Sequence, residues 1–335
     1  MKKIFVLSAF LIVFLLGLAQ PASAACEMNR PIMFAGLDWQ SNHFHVEVAR
    51  FIMEKGYGCE TDSIPGSTIP LLQGMIRGDV DVTMEMWKDN VKEAFQKGVD
   101  AGKIVELGIN FPDAVQGWFV PRYLVEGSGA KAPGLKRVTD LPKYKKLFSD
   151  PEEPEKGRFL NCILGWGCEV INTNKLVAYG LLNDYTNFRP GTGAALAAAI
   201  ASNYQRKKPF VAYYWGPTWV LGKYDLVMLE EDPFNQKVWD ELAKTKGKNG
   251  KAVAYPVVAV SIATTTQFTK DAPKLTAFLK NYRTSNKQVS QALVYLQEKK
   301  GSKAKDAALE FLRTKQDVWT KWVPADVASR VNAAL

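Results

Sequence analysis

Three tryptophans stand where stretches that read as strands come to an end. Trp87 follows residues 80–86, Trp166 lies in the turn Gly165-Trp166-Gly167-Cys168, and Trp215 ends Val211-Ala212-Tyr213-Tyr214. An indole face attracts a cation through its quadrupole, by about 0.5–1 kcal/mol when exposed and about 2 kcal/mol when desolvated. Several such faces around one point suit a methylated ammonium, which carries charge but has no N–H to donate. For a single tryptophan, core packing is the commoner role, and Trp219, Trp239, Trp319 and Trp322 are read that way. In the 165–168 turn two glycines leave the backbone uncovered and a helix starts just beyond. Free N–H groups and a positive helix end there would hold an anion such as a carboxylate. A bridge between Cys162 and Cys168 would either preorganise that turn or simply staple a loop.

Other polar and aromatic positions are less committed. Asp38 and Trp39 end the first expected strand and either line a crevice or cap the next helix, while Gln116 and Trp118 either touch ligand or support a hinge. The two histidines, His43 and His45, would face different sides of one helix, which suits a surface or packing role better than metal binding. The sequence has no Gly-x-Ser-x-Gly elbow and no zinc-binding helix, so a hydrolase would lack a nucleophile with its base. The expectation is therefore a binding protein rather than an enzyme, with no cofactor and no metal.

The elements that must position these residues alternate. Residues 31–39 read as a strand, 43–54 as a helix stopped by Gly56, 59–64 as a strand, 67–76 as a helix capped by Ser67 and ended by Gly78, and 79–84 as a strand. Such a run implies a parallel, doubly wound sheet with its crevice at the carboxyl ends of the strands. A second run follows: helical residues 141–148, helices at 169–178 and 192–204, and a strand at 210–215. A β-rich stretch at 255–263 returns the chain, which closes in amphipathic helices from near Ala272 and Ser290 and a tail with Trp319 and Trp322. The halves interleave. The reading is an α/β, two-lobed, type II-like architecture, each lobe a doubly wound sheet with flanking helices: lobe one at 26–118 and 255–335, lobe two at 121–230, a connecting segment at 231–254, and a hinge where the chain crosses.

Residues 1–24 read as an export signal, because Lys2 and Lys3 precede an apolar stretch of 16 residues, Ile4 to Ala19, and Ala22-Ser23-Ala24 offers a small-x-small cleavage site. The stretch is shorter than the roughly 20 residues a permanent anchor needs. Cys26 invites a lipid anchor, but Ser23 stands where a lipidation site wants Leu. Without the signal the net charge falls from +9 to +7, scattered and without the aromatic interleaving of a nucleic-acid surface, so nucleic acid is not an expected partner. In an oxidising compartment the four cysteines form an even set, Cys162 with Cys168 and Cys26 with Cys59. Neither pair has the spacing of a zinc knuckle.

At these residues the chain resembles the periplasmic substrate-binding proteins of glycine betaine/proline-type ABC transporters, over nearly the whole mature length. The resemblance is carried by Gly165-Trp166-Gly167-Cys168-Glu169, by Tyr213-Tyr214-Trp215-Gly216-Pro217-Thr218-Trp219, by Gln116-Gly117-Trp118, and by Asp79-Val80-Asp81-Val82 leading to Trp87. It implies a cage of Trp87, Trp166 and Trp215 for glycine betaine or a related quaternary ammonium compound, with Gly167 and Cys168 as backbone donors to a carboxylate. It also implies lobe closure, a periplasmic location, a single chain as the working unit, and delivery to the permease and ATPase subunits of an importer. Some relatives place a His shortly after the first cage tryptophan; here Lys88, Asp89 and Asn90 follow Trp87, and Asn90 is the substitute donor. Choline, carnitine, proline and trimethylamine N-oxide are the alternative cargoes.

Overall fold

The computed structural model describes residues 25–335; the expected export signal lies outside them. Its strands are β1 (Ile32–Leu37), β2 (Thr61–Gly66), β3 (Val82–Met86), β4 (Ile104–Pro121), β5 (Gly157–Leu160), β6 (Tyr185–Phe188), β7 (Val211–Gly216), β8 (Leu226–Met228) and β9 (Val258–Thr265). They lie in the order β2-β1-β3-β9-β4-β7-β5-β6, with β8 beside β4. Strand β1 reads IMFAGL and is buried at every position but Met33. Such an apolar run belongs to a strand covered by helices on both faces.

The parallel pairing expected from the alternation is present at both ends of this order. β1 runs parallel to β2, from Ile32 opposite Thr61 to Leu37 opposite Gly66, and to β3; β5 runs parallel to β6 and β7. The middle departs from the expectation. β9 is antiparallel to β3 and β4, and β4 is antiparallel to β7 and β8, so each half is a mixed sheet rather than a purely parallel one. β9, which returns the chain late in the sequence, inserts between β3 and β4 and runs against both. The far end of β4 in turn runs against β7, which is parallel to β5. The 18 residues of β4 pair with β9 at one end and with β7 and β8 at the other.

Several boundaries also move. β1 stops at Leu37, so Trp39 is the residue before helix Gln40–Phe51 rather than the end of the strand, and a π-turn, Ile52–Gly56, prolongs that helix. Ser67 precedes helix Thr68–Arg77, but its hydroxyl makes no capping bond; the helix ends as expected at Gly78, in the left-handed region at φ 92°. Thr192 caps helix Gly193–Gln205 by accepting from the Ala195 amide at 3.0 Å. Two apolar cores result, one built around Trp118, Phe159 and Trp239 and the other around Phe34, Phe44, Trp319 and Trp322.

Both expected disulfides are present. Cys26–Cys59 ties the segments that lead into β1 and β2, which are neighbours in register. It also occupies the Cys26 sulfur that a thioether-linked lipid would require.

Candidate functional site

The residues singled out from the sequence converge. Trp39, Trp87, Asn90, Trp166, Gly167, Cys168 and Trp215 line one cavity, completed by Thr68 and Tyr213. Trp166 is its centrepiece, meeting Trp39 edge to face at 5.3 Å and 81° and Trp215 at 5.2 Å and 86°. Rings at right angles present faces on several sides of one point, the arrangement a cation without N–H donors requires. Among the described residues no charged side chain lines the cavity.

Charge lies behind the rings instead. Glu85 sits on β3, a strand buried along its whole length, and its Oε2 accepts from the indole N–H of Trp39 at 2.8 Å and of Trp87 at 3.1 Å. Burial pushes the Glu85 carboxyl up to about 7, against the pull of the bonds it accepts. Asp38 Oδ1 accepts from the Trp166 indole N–H at 2.6 Å. Asp38 thus holds one ring of the cavity, and Trp39 is itself a wall.

The opposite end of the cavity is backbone. Helix Gly167–Ala178 begins at Trp166, so the first amides, those of Gly167 and Cys168, have no acceptor within the helix and carry its positive end. A Cβ at Gly167 would stand 2.5 Å from the Asn90 carbonyl oxygen, and Gly165 has φ 90° with Ser67 packed against it. Only glycine permits this close approach. The Cys162–Cys168 bond spans the turn, which is fastened from behind by Asn161 Oδ1, accepting from the Cys162 amide at 2.6 Å and from Asn172 Nδ2 at 2.8 Å.

Gln116 and Trp118 do not line the cavity; both lie on β4, which pairs with strands of each half. Gln116 Oε1 accepts from Asn90 Nδ2 and from the Tyr213 hydroxyl, both at 2.7 Å, so it fixes two lining residues without lining the cavity itself. Asn90 therefore faces the cavity with its amide N–H directed to Gln116. Trp118 is fully buried, its N–H given to Asn172 at 2.7 Å and its ring against Phe159 at 4.3 Å. Its place is the core behind the turn. His45 is buried, bonded through Nδ1 to the Tyr282 hydroxyl at 2.8 Å, while His43 is exposed on the same helix. Trp239, read as core, also reaches the Asp89 carbonyl at 3.4 Å, and Trp219 is half-buried, lining an adjoining pocket with Trp39 and Trp215.

The segments bearing these residues touch across the cleft. Ile69 N–H donates to the Gly165 carbonyl at 3.0 Å, and Lys92 pairs with Asp240 at 2.8 Å. Thr68, Tyr213 and Glu85 were not singled out from the sequence. Only Glu85 left a signal there, an acid inside an otherwise uncharged strand.

A family model described as the substrate-binding domain of ABC-type glycine betaine transport systems matches residues 30–314. The chain is 29% identical over 216 residues to a glycine betaine-binding periplasmic protein of Dickeya dadantii, an alignment that covers 61% of this chain and 62% of that protein. It is 24% identical over 322 residues to a trimethylamine N-oxide-binding protein of Pelagibacter ubique, covering 96% of this chain and 99% of the other. The chain thus spans about three fifths of the first relative and nearly all of the second. Among solved structures, a glycine betaine/L-proline-binding protein of an ABC transporter from Borrelia burgdorferi matches with a TM-score of 0.71 at 17% identity, over 90% of this chain and 100% of that one. That likeness establishes the two-lobed α/β fold. The matched family is one of transporter solute-binding domains and not of enzymes, and this chain belongs to it: the substrate-binding domains of ABC-type glycine betaine transport systems.

Proposed function

We propose that the protein captures glycine betaine or a related quaternary ammonium compound between two lobes, in the periplasm, and delivers it as a single chain to the permease and ATPase subunits of an importer. Lobe one comprises residues 26–118 and 255–335, lobe two residues 121–230, and residues 231–254 connect them. Trp39, Trp87, Trp166 and Trp215 surround the methylated ammonium; the amides of Gly167 and Cys168 receive the carboxylate; Asn90, steadied by Gln116, borders the carboxylate end. The carrying observation is the cavity that joins four indoles to an uncapped helix N-terminus, with no charged side chain among the described residues in its lining. The named cargoes of the Dickeya and Pelagibacter relatives, glycine betaine and trimethylamine N-oxide, are small methylated amines and support the same class.

Isothermal titration of the mature chain against glycine betaine, choline, carnitine, trimethylamine N-oxide and proline tests this reading. Heat should be measured with at least one of the methylated amines and be weakest with proline. Small-angle scattering should show compaction on saturation, since walls of the cavity come from both halves. Absence of binding to every methylated amine would overturn the proposal.

A further inference from the structure

Three of the four cage indoles give their N–H to a carboxylate: Trp39 and Trp87 to Glu85, and Trp166 to Asp38. Glu85 is the unusual member. Its side chain is fully buried, and Oε1 accepts no hydrogen bond from the described residues. The nearest basic group, His45 Nε2, stands 3.9 Å away. Burial holds that imidazole down at about 3, so it is neutral and offers no counter-charge. Among the described residues the other groups around the carboxyl are uncharged: the two indoles, the Ser41 hydroxyl, and the Tyr282 hydroxyl beyond His45. An acid without a cation on a central strand is costly, and stability alone does not account for it.

We propose that Glu85 is a positioning residue whose counter-charge is the cation of the bound ligand, acting through Trp39 and Trp87. Shared by both N–H groups, one carboxylate oxygen fixes two rings at once. Its charge draws each N–H proton and enriches the ring face in electron density. A negative charge behind the rings, in a medium of low dielectric, is also felt directly by a cation in front of them. The cage thereby selects for positive charge and not merely for the bulk of three methyl groups. This rests on the reading of the cavity as a quaternary ammonium site.

The test compares the wild-type protein with Glu85→Gln, whose side-chain carbonyl still accepts from both indoles while the charge is gone. Two probes are titrated calorimetrically from about pH 5.5 to about pH 8.5: glycine betaine, and 3,3-dimethylbutyrate, in which carbon replaces the charged nitrogen. At about pH 8 the substitution should weaken betaine roughly tenfold and leave the carbon isostere within about twofold. Wild-type affinity for betaine should fall as pH drops through about 7, and the Glu85→Gln profile should lose that component. Any contribution from His43, exposed on the neighbouring helix, is common to both proteins and cancels in the difference. Equal weakening of both probes, or an unchanged betaine affinity and pH profile, overturns the proposal. Should the isostere bind too weakly to titrate, the betaine profiles decide; should Glu85→Gln fail to fold, a flat wild-type profile overturns it. A wild-type protein that binds no methylated amine instead refutes the underlying reading of the site.

Discussion

Asp38 and Trp166 are joined by a 2.6 Å hydrogen bond, indole N–H to carboxylate, although one follows β1 and the other follows β5 near the far end of the strand order. In the proposed two-lobed arrangement the bond bridges the lobes, so that ligand and latch would stabilise the same closed state.

Asp38→Ala should weaken betaine binding by roughly five- to thirtyfold, about 1–2 kcal/mol, because a charge-assisted bond across the cleft is lost while the cavity wall remains. Trp166→Phe, which keeps a ring but removes the N–H, should show a loss that is not additive with Asp38→Ala. A double-mutant cycle by calorimetry measures this coupling; independent effects would mean the bond does not contribute to closure.

Trp87→Ala, Trp166→Ala and Trp215→Ala should each cost about 1–3 kcal/mol of betaine binding, since each removes a desolvated ring face and admits water. Phe at the same positions should cost less. Trp322→Phe, in the other core, is the control: it should lower the melting temperature and leave affinity near wild type. Equal losses at all four positions would sink the cage assignment.

Cys162→Ser with Cys168→Ser should reduce affinity more than stability. The bond closes a short loop, six positions in length, worth about 2 kcal/mol of chain entropy by the loop-length relation. Its larger effect is on the order of the turn whose amides open helix Gly167–Ala178. A variant that melts much lower yet binds normally would make the bridge purely structural.

Glu85 should make the unliganded fold less stable as pH rises. Its folded carboxyl is pushed up to about 7, so the native state holds the proton more tightly than the unfolded chain does. The stabilisation this gives is present below the ordinary carboxylate range and is lost as pH climbs through about 7. Between about pH 5 and pH 8 the wild type should lose up to about 3 kcal/mol relative to Glu85→Gln, read from urea unfolding at each pH. Parallel curves for the two proteins would contradict it.

Much of the cavity was legible in the sequence because its parts are local. A tryptophan at a strand end and a glycine pair before a helix each announce themselves within a few residues, and all seven expected residues line the one cavity. What escaped depends on contacts far apart in the chain. Tyr213 reads as one more residue of an apolar strand until Gln116, 97 positions away, fixes its hydroxyl. Glu85 is informative only once Trp39, 46 positions away, is seen to share it. β4 was missed altogether: Gly108, Pro112 and Gly117 interrupt its pattern, and its partners β7 and β9 lie far downstream. The mixed pairing of the sheet follows from that same strand.

β4 belongs to both halves, and its pairing with β9 shifts register three times, between Glu106 and Gly108, Ile109 and Phe111, and Phe111 and Ala114. A hydrogen-bonded ribbon resists twisting and shear along its length but yields where bulges interrupt the ladder. In the proposed closure this bulged stretch is where the halves would bend, with the rest of the ribbon limiting other motions. Such a joint would leave few open orientations, so little configurational entropy would be lost when the four indoles meet.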